Sequence, residues 1–382
     1  MTMTRRERLT ATLRGEPVDR PPISFYEIGG WTPDLDDPDP FNIYNDPSWR
    51  PLLQLAEEQT DLIRMRGASW SVRRVGGTPR DEFSKTETWM QNGARFTRTT
   101  LTVGGRTMTQ VTRQDPDVST TWTIEHLLKT PEDLKAYLEL PDPDGRIEVD
   151  VAKLVVEEKE LGDRGIIMID CGDPICSASL FSMEDYLVIA LTEPKLFHRL
   201  LEKEARPIYE ATEAVAKAFP GHLWRVCGSE YACEPFLPPR LFEEYVVRYT
   251  GPMVKIIQKY GGYARIHCHG RIRSALPYLI QMGADGTDPI EPPPQGNVEL
   301  IEVRRNYGKQ LVLFGNLEAS DIENLEPPQF EKKVAKALIE GTAGQGRGFV
   351  LHPSSCPYGR TISARTMANY ETIVRLATRF QG

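Results

Sequence analysis

Eight short runs rich in β-branched and aromatic residues alternate with amphipathic helical patterns, and this alternation constrains the fold more than any other feature of the chain. The runs predict strands at Pro22–Tyr26, Asp61–Met65, Gly165–Asp170, Leu223–Gly228, Tyr263–Cys268, Ala284–Asp288, Gln310–Gly315 and Gly348–His352. Helical patterns predict helices at Glu193–Phe219, Pro239–Tyr260, Arg271–Met282, Val298–Tyr307, Gln329–Gly341 and Ser363–Phe380. Strands that are mostly followed by helices indicate a parallel sheet covered on both faces. Eight is also the number of strands that closes a barrel. We therefore predict an α/β fold, a (β/α)8 TIM barrel, with a doubly wound open sheet as the alternative.

Residues 80–125 do not follow this alternation. Apolar and polar residues alternate there on both sides of Gly104-Gly105, which predicts an antiparallel β-hairpin. We place this hairpin as an insertion after strand 2, over the mouth of the barrel. Residues 1–382 are otherwise expected to form a single domain.

The charge pattern narrows the range of partners. The formal net charge is −8 and no long Lys/Arg run occurs, which argues against a nucleic-acid partner. No apolar run reaches the roughly 18 residues that a membrane span needs, and the charged N-terminus does not resemble a signal peptide. We therefore expect a cytoplasmic protein with no membrane partner. Dimers are common among such barrels, so a homodimer is one expectation for the assembly.

The sharpest local motif is Arg-Ile-His-Cys-His-Gly-Arg at residues 265–271. In an extended strand, residues two apart point to the same side, so His267 and His269 are predicted to face one way and Cys268 the other. The loops after barrel strands form the active site in this fold. Two imidazoles at that end could chelate a divalent metal ion, although a metal-free hydrogen-bonded pair or a general acid/base pair would use the same spacing.

Further metal ligands would have to come from other strands. Cys356, after the last strand, is the best thiolate candidate, and Glu230, after the fourth strand, could supply a carboxylate. A set of His267, His269, Cys356 and Glu230 or water suits tetrahedral zinc. Cys171, Cys176 and Cys227 are expected to pack in the core, and Cys233 is left open because it lies near Glu230. Three further histidines are expected to be structural or surface residues: His126, His198 and His222.

Four stretches of the chain resemble the uroporphyrinogen-decarboxylase-like superfamily. They are the opening RRERLTATLRGEPVDRPPI, the central YARIHCHGRIRSALPYLIQMGADGTDPIEPP, LVLFGNLEAS, and the final GFVLHPSSCPYGRTISARTMANY. Their order and spacing cover most of the chain, with the weakest match at residues 70–160. The resemblance implies a barrel with its active site at the C-terminal ends of the strands.

This superfamily contains uroporphyrinogen decarboxylases and zinc-dependent methyltransferases that work with corrinoid proteins. The decarboxylases carry Arg-Gln-Ala-Gly-Arg after strand 1, whereas this chain has Tyr-Glu-Ile-Gly-Gly-Trp at residues 26–31. Arginines would be needed there to hold a polycarboxylate.

The methyltransferases hold zinc through His-x-Cys on strand 5 and a Cys after strand 8. By position, these ligands correspond to His267, His269 and Cys356, with His269 replacing the usual Cys and Cys356 offset by about one residue. Imidazole in place of thiolate would make zinc more Lewis acidic, which favours activation of an oxygen over a thiol.

The resemblance favours a metal-dependent methyltransferase that moves a methyl group between a small molecule and a cobamide, supplied free or by a partner corrinoid protein. In that reading, His267, His269 and Glu230 are the catalytic residues and zinc is the metal. One alternative is a metal-independent decarboxylase or lyase that acts on a small carboxylic acid or a tetrapyrrole. Arg64, Arg66 and Arg271 would then hold carboxylates, and Asp170 or Glu230 would act as acid and base. Another alternative is a non-catalytic corrinoid- or tetrapyrrole-binding protein.

Overall fold

A computed structural model describes residues 2–76 and 80–380 of the chain. The strands, in chain order, are β1 (Leu62–Gly67), β2 (Val72–Val75), β3 (Ser84–Gln91), β4 (Ala94–Val103), β5 (Arg106–Gln114), β6 (Thr121–Glu125), β7 (Arg146–Val149), β8 (Gly165–Gly172), β9 (Leu223–Cys227), β10 (Tyr263–His267), β11 (Gly286–Asp288), β12 (Val312–Leu317) and β13 (Gly348–Pro353).

The helices surround this framework. In chain order they are α1 (Arg5–Arg14), α2 (Trp49–Gln59), α3 (Pro131–Tyr137), α4 (Ala152–Leu161), α5 (Met183–Thr192), α6 (Pro194–Ala218), α7 (Pro239–Phe242), α8 (Arg248–Lys259), α9 (Leu276–Met282), α10 (Leu300–Tyr307), α11 (Ala319–Asn324), α12 (Pro327–Gly341) and α13 (Ala364–Arg379). A π-helical turn, Glu243–Val247, joins α7 to α8. The helices predicted from the sequence all correspond to helices here. None of the helices in the described ranges is long and apolar enough to cross a membrane.

A curled parallel sheet of seven strands forms the centre of the described part of the molecule. Its strand order is β1-β8-β9-β10-β11-β12-β13, and every neighbouring pair is parallel. Neighbouring strands follow the chain order, so the alternative of a doubly wound open sheet, in which the strand order reverses, does not fit this arrangement. The fold is therefore α/β with a curled parallel sheet.

The predicted first strand, Pro22–Tyr26, does not form a ladder. Its Ile23 makes one parallel bridge to Leu351 on β13 and accepts a backbone hydrogen bond from Asp61, just before β1, at 2.7 Å. Two causes limit pairing: Pro22 has no backbone N–H, and the N–H of Ile23 donates to the side chain of Asp61 at 2.8 Å instead of to a strand. The extended conformation ends at Tyr26, where φ is +58°.

The antiparallel sheet around Gly104-Gly105 is larger than the predicted hairpin. Around Gly104-Gly105, β4 and β5 pair antiparallel, and β3 and β6 extend the pair to a four-stranded sheet. A separate antiparallel pair, β2 and β7, lies beside it in sequence. The outer strand β3 is mostly exposed on both faces, so its sequence lacks the alternation that marks a half-buried strand. The β5–β6 connection is tied to the loop after β13 by a bridge between Val118 and Gly359.

The concave face of the parallel sheet changes character along the strands. Near the N-terminal ends, its side chains form an apolar cluster that Leu9 and Leu13 of α1 cover; the strand residues in it are Ile63, Met65, Met168, Leu223, Val312, Phe314 and Val350. Residues of the opposite strand faces pack instead under the surrounding helices. The C-terminal ends of the same strands carry charged and imidazole side chains on the concave face, which places the polar groups of the sheet at one end.

Candidate functional site

The polar end of the concave face is built from β8, β9, β10, β11 and β13. The side chains that converge there are Asp170, Arg225, Arg265, His267, Asp288 and His352. Because alternate residues of a strand share a face, Arg265 and His267 follow the inward-facing Tyr263 on β10. The C-terminal ends of parallel strands are where ligands bind in α/β folds.

His267 is held by a buried carboxylate. Asp288 lies directly opposite His267 in the β10–β11 register, and Nδ1 of His267 donates to Oδ2 of Asp288 at 2.7 Å. The other oxygen of Asp288 lies 2.9 Å from Nε of Arg265. Burial lowers the pKa of His267, while Asp288 opposes that shift. Arg265 and His267 keep the pKa of Asp288 far below its ordinary value despite complete burial. Asp288 is therefore an anion that fixes the proton of His267 on Nδ1.

His269 is held in the same way by Glu291, three residues after Asp288. Its Nδ1 lies 2.9 Å from Oε1 of Glu291, and Oε2 of Glu291 accepts a hydrogen bond from the Gly270 backbone at 2.6 Å. Burial works to lower the pKa of His269, but the hydrogen bond that its Nδ1 donates to Glu291, together with the charge of Glu291, outweighs burial and the net shift is upward. Glu291 is therefore locked by two donors and orients the second ring as Asp288 orients the first.

The two imidazoles lie side by side. Their ring centroids are 4.5 Å apart and the rings are nearly perpendicular. Among the described residues, no group forms a hydrogen bond with Nε2 of either ring. Cys268, between them, points to the other side, where its Sγ lies 3.3 Å from Sγ of Cys233. Both histidines thus offer Nε2 to a ligand, and Cys268 does not.

The two other predicted ligands, Glu230 and Cys356, form hydrogen bonds with groups other than the two rings. Glu230 sits on a 3-10 turn after β9, where one of its oxygens accepts a hydrogen bond from the Gly228 backbone at 3.2 Å. Its charge contributes to the raised pKa of His269. Cys356 is buried and its Sγ donates to Oε2 of Glu27 at 2.9 Å; burial raises the pKa of this thiol well above its ordinary value. Over residues 2–76 and 80–380, no three His, Cys, Asp or Glu side chains are gathered at metal-ligand spacing.

Tyr26 covers the centre of the site. Its ring stacks on His267 with centroids 5.8 Å apart and meets the edge of His352 at 5.0 Å. The guanidinium of Arg225 lies 5.6 Å from the same ring and pairs with Asp170 at 2.6 Å. Burial raises the pKa of Tyr26 well above its ordinary value. Tyr26 therefore serves as a neutral aromatic wall that keeps water from one side of His267.

The arginines of the predicted lyase site point elsewhere. Arg64 pairs with Glu57 at 2.6 Å, and Arg66 forms an ion pair with Glu157. Both lie on the face of β1 opposite to Ile63 and Met65, which point to the concave side. Arg271 is exposed after β10. The prediction that Arg64 and Arg66 hold a substrate carboxylate at this site is therefore wrong, because the alternation of β1 turns them away from it.

Two buried carboxyl groups near the site were not predicted to have perturbed acidity. Burial raises the pKa of Asp173 to about 7 and that of Glu318 to about 7. Asp173 accepts hydrogen bonds from Thr250 at 2.9 Å and Ser229 at 3.1 Å through one oxygen, while its other oxygen has no partner among the described residues. Each group could hold a proton near neutral pH.

The partners of the histidines could have been found from the sequence. Asp288 ends the strand that follows β10, and Glu291 comes three residues later. Strand ends on neighbouring parallel strands meet at one edge, which would have paired these carboxylates with His267 and His269. The alternation that places His267 also places Arg265 on the same face, because Arg265 stands two positions earlier on the same strand.

Comparison with known proteins gives one family and several structures. Residues 116–366, well over half of the chain, match the family model for uroporphyrinogen decarboxylase (URO-D). A sequence search finds no curated protein that matches the chain.

A methyltransferase from Methanosarcina mazei is similar in structure, with a TM-score of 0.57, 14% identity and 98% of each chain covered. A putative vitamin-B12-independent methionine synthase from Listeria monocytogenes gives a TM-score of 0.42 at 14% identity, over 63% of this chain and 73% of that chain. The first structure shares the fold over 98% of each chain. The extent of the family match is decisive: this chain belongs to the uroporphyrinogen decarboxylase (URO-D) family.

Proposed function

We propose that this chain is a metal-dependent methyltransferase that moves a methyl group between a small-molecule substrate and a cobamide. The observation that carries this proposal is the pair of carboxylate-held histidines. Asp288 and Glu291 bind Nδ1 of His267 and His269, so both rings present Nε2 at neighbouring positions. A carboxylate on the far nitrogen is the usual support of a metal-bound histidine.

The residues fit zinc in ligand type. Two imidazoles would bind the metal through Nε2, and Cys356 and Glu230 are the proposed third and fourth ligands, with water as the alternative to Glu230. Glu230 keeps one oxygen without a hydrogen bond among the described residues, and it lies within electrostatic reach of His269. Cys356 would have to leave its hydrogen bond with Glu27. A thiol loses its proton when it binds a metal, and Oε2 of Glu27 is placed to accept that proton.

Zinc in this setting would act as a Lewis acid toward a heteroatom of the substrate. With His269 in place of a thiolate, we expect an oxygen substrate, such as a methyl ether or an alcohol, to be favoured over a thiol. Tyr26 would exclude water from one side of the reacting groups, and Asp288 and Glu291 would hold the two rings in a fixed orientation. These residues orient and shield the substrate, while the cobamide supplies the methyl-carrying chemistry.

The same proposal includes a closed barrel and a cobamide that binds at one end of it. We take the segment around Ile23 as the eighth member of a closed barrel, because it contacts both β13 and the chain entering β1. The cobamide would approach the C-terminal face, either free or on a partner corrinoid protein, in the cytoplasm. The family match and the fold shared with a methyltransferase support this reading.

Zinc content and methyl transfer test the proposal together. The full chain, expressed with zinc available, should bind one zinc per chain and methylate reduced cobalamin from at least one small methyl donor, such as a phenyl methyl ether or methanol. His267→Ala and His269→Ala should lose both zinc and activity, whereas His126→Ala, at a half-buried histidine outside the site, should keep both. Activity that survives complete removal of metal would overturn the proposal.

A metal-free lyase is the competing function, and a specific observation favours it. Asp173 and Glu318 are buried carboxyl groups with a pKa of about 7, which suits general acid–base catalysis. Decarboxylation of a small acid by chelator-treated protein, abolished in Asp173→Asn and retained in His269→Ala, would establish this function instead.

A further inference from the structure

A cavity lined by the buried Arg304 lies at the opposite end of the parallel sheet from the histidines. It has a volume of about 500 Å³. Its walls are the chain from Glu16 to Pro21, which follows α1, the connection between α12 and β13, and the ring of Phe380. This size falls within the range of small-molecule sites in proteins.

Arg304 is the distinctive group in this cavity. It lies in the last turn of α10 and is 6% exposed. Its Nε donates to the Ala343 carbonyl at 3.0 Å, and Nη1 donates to the Gly348 carbonyl at 3.5 Å. No hydrogen bond joins Nη2 to any group in the described ranges. Two carbonyls therefore fix the guanidinium and leave one edge for a ligand.

The charge of Arg304 is not balanced by an acid. Within residues 2–76 and 80–380, no carboxylate lies at ion-pair distance from it, and burial lowers its pKa. The two other arginines of the cavity are neutralised: Arg20 pairs with Asp61 at 2.8 Å, and Arg347 pairs with Asp285 at 3.3 Å. A buried cation without an acid is costly unless a counter-ion binds.

The chain approaches the guanidinium closely at one point. A Cβ atom on Gly346 would lie 2.3 Å from Cζ of Arg304, so only glycine allows this packing. The backbone at Gly346 thus packs directly against the guanidinium of Arg304.

The other walls define the chemistry of an occupant. Pro17, Val18, Phe349 and Phe380 supply apolar surface. Asp19 is engaged by Arg8 at 2.6 Å, but Glu16 is an exposed acid at the rim and would repel a highly charged ligand. A single negative charge on a flat apolar body suits these walls better than a polyphosphate.

We propose that this cavity is a second binding site that takes a small organic monocarboxylate, with its carboxylate on Arg304 and its apolar body between the proline and phenylalanine side chains. The site goes beyond the methyl-transfer reaction and does not depend on it. A carboxylate would accept a charge-assisted hydrogen bond from Nη2, while the apolar part would be removed from water.

Calorimetric titration of the full chain with benzoate tests this site, with benzyl alcohol as the neutral probe of the same size. We expect benzoate to bind and benzyl alcohol to bind at least about tenfold more weakly, since a hydrogen bond to a charged group would be lost. Arg304→Gln should weaken benzoate by about tenfold or more. Arg305→Gln, which removes an exposed charge from the same helix turn, should leave the affinity unchanged.

A second variant keeps the test informative if Arg304→Gln does not fold. Val18→Asp adds a negative charge to the cavity wall without changing Arg304, and it should also weaken benzoate. Equal binding of benzoate and benzyl alcohol, unchanged affinity in both cavity variants, or no binding of benzoate to the unmodified chain would each overturn the proposal. Zinc content is not expected to change in any of these variants, so this test can fail without bearing on the methyl-transfer site.

Discussion

Asp288 joins Arg265 to His267: one of its oxygens lies 2.9 Å from Nε of Arg265, and the other accepts a hydrogen bond from Nδ1 of His267 at 2.7 Å. All three side chains are buried. The arginine keeps the carboxylate ionised, and the carboxylate in turn decides which nitrogen of His267 carries the proton. The orientation and tautomer of a proposed metal ligand thus depend on a residue two positions earlier on the same strand.

Asp288→Asn should weaken zinc binding. An amide accepts a weaker hydrogen bond from Nδ1 and leaves Arg265 without its counter-charge, so the His267 ring loses its fixed tautomer. Loss of such a supporting carboxylate reduces metal affinity by about 10- to 100-fold. Competition with a chromophoric chelator measures this change, and Asp163→Asn, at an exposed position, is the control. Equal zinc affinity in the two variants would show that Asp288 does not support a metal ligand.

Substitution of Cys356 and substitution of Cys268 should have different effects on zinc binding. Cys356→Ser should lower zinc content or affinity, because it removes the proposed thiolate ligand. Cys268→Ala should retain zinc, because Cys268 points away from the rings and toward Cys233. Elemental analysis of the purified variants distinguishes them, and loss of zinc from Cys268→Ala alone would mean that the strand presents its other face to the metal.

The contrast between these cysteines shows what the sequence could predict. The alternation of β10 correctly separates Cys268 from His267, since the period of a strand is fixed by its geometry. The same alternation, applied to β1, would have turned Arg64 and Arg66 away from the concave face had Ile63 and Met65 been recognised as its inner residues. Cys356 lies in a loop, where no period relates a residue to its direction. Its hydrogen bond with Glu27 joins chain segments too far apart in sequence for any local pattern to reveal.

The segment Pro22–Tyr26 has the composition of a buried strand, but it forms only one bridge to β13 instead of a ladder. Its apolar residues suit a buried strand, and Ile23 does lie against β13. The N–H of Ile23, however, goes to the Asp61 side chain, and such a local side-chain hydrogen bond competes with the ladder. The polar outer strands of the insertion were missed because β3 has no buried face to leave a pattern.

Asp173→Asn should change how stability depends on pH. Burial raises the pKa of Asp173 from 3.8 to about 7, so the folded chain holds a proton that the unfolded chain has released between these values. The stability of the natural chain should therefore fall as pH rises from about 4 to about 7. The variant cannot ionise, so it should lack this fall and be more stable than the natural chain at pH 8, by on the order of 4 kcal/mol. Denaturant unfolding at pH 5 and pH 8 measures the difference, and an equal pH dependence in both proteins would show that Asp173 ionises normally.

Leu9→Ala should destabilise the fold without altering the site. Leu9 is 1% exposed and covers the apolar N-terminal end of the concave face, far from the histidines along the strands. Truncation of a buried leucine leaves a cavity and costs about 2–5 kcal/mol. Leu191→Ala, at a position 49% exposed, should cost much less. The free energy of unfolding from denaturant titration gives both values, and similar losses would contradict the role assigned to Leu9.

Anomalous X-ray scattering at the zinc edge, recorded from crystals of the full chain grown with zinc available, tests the metal site most directly. We predict one strong peak at about 2.0–2.1 Å from Nε2 of both His267 and His269. Crystals with no peak between the two rings, or with zinc bound only elsewhere on the chain, would contradict the proposed metal-dependent methyl transfer.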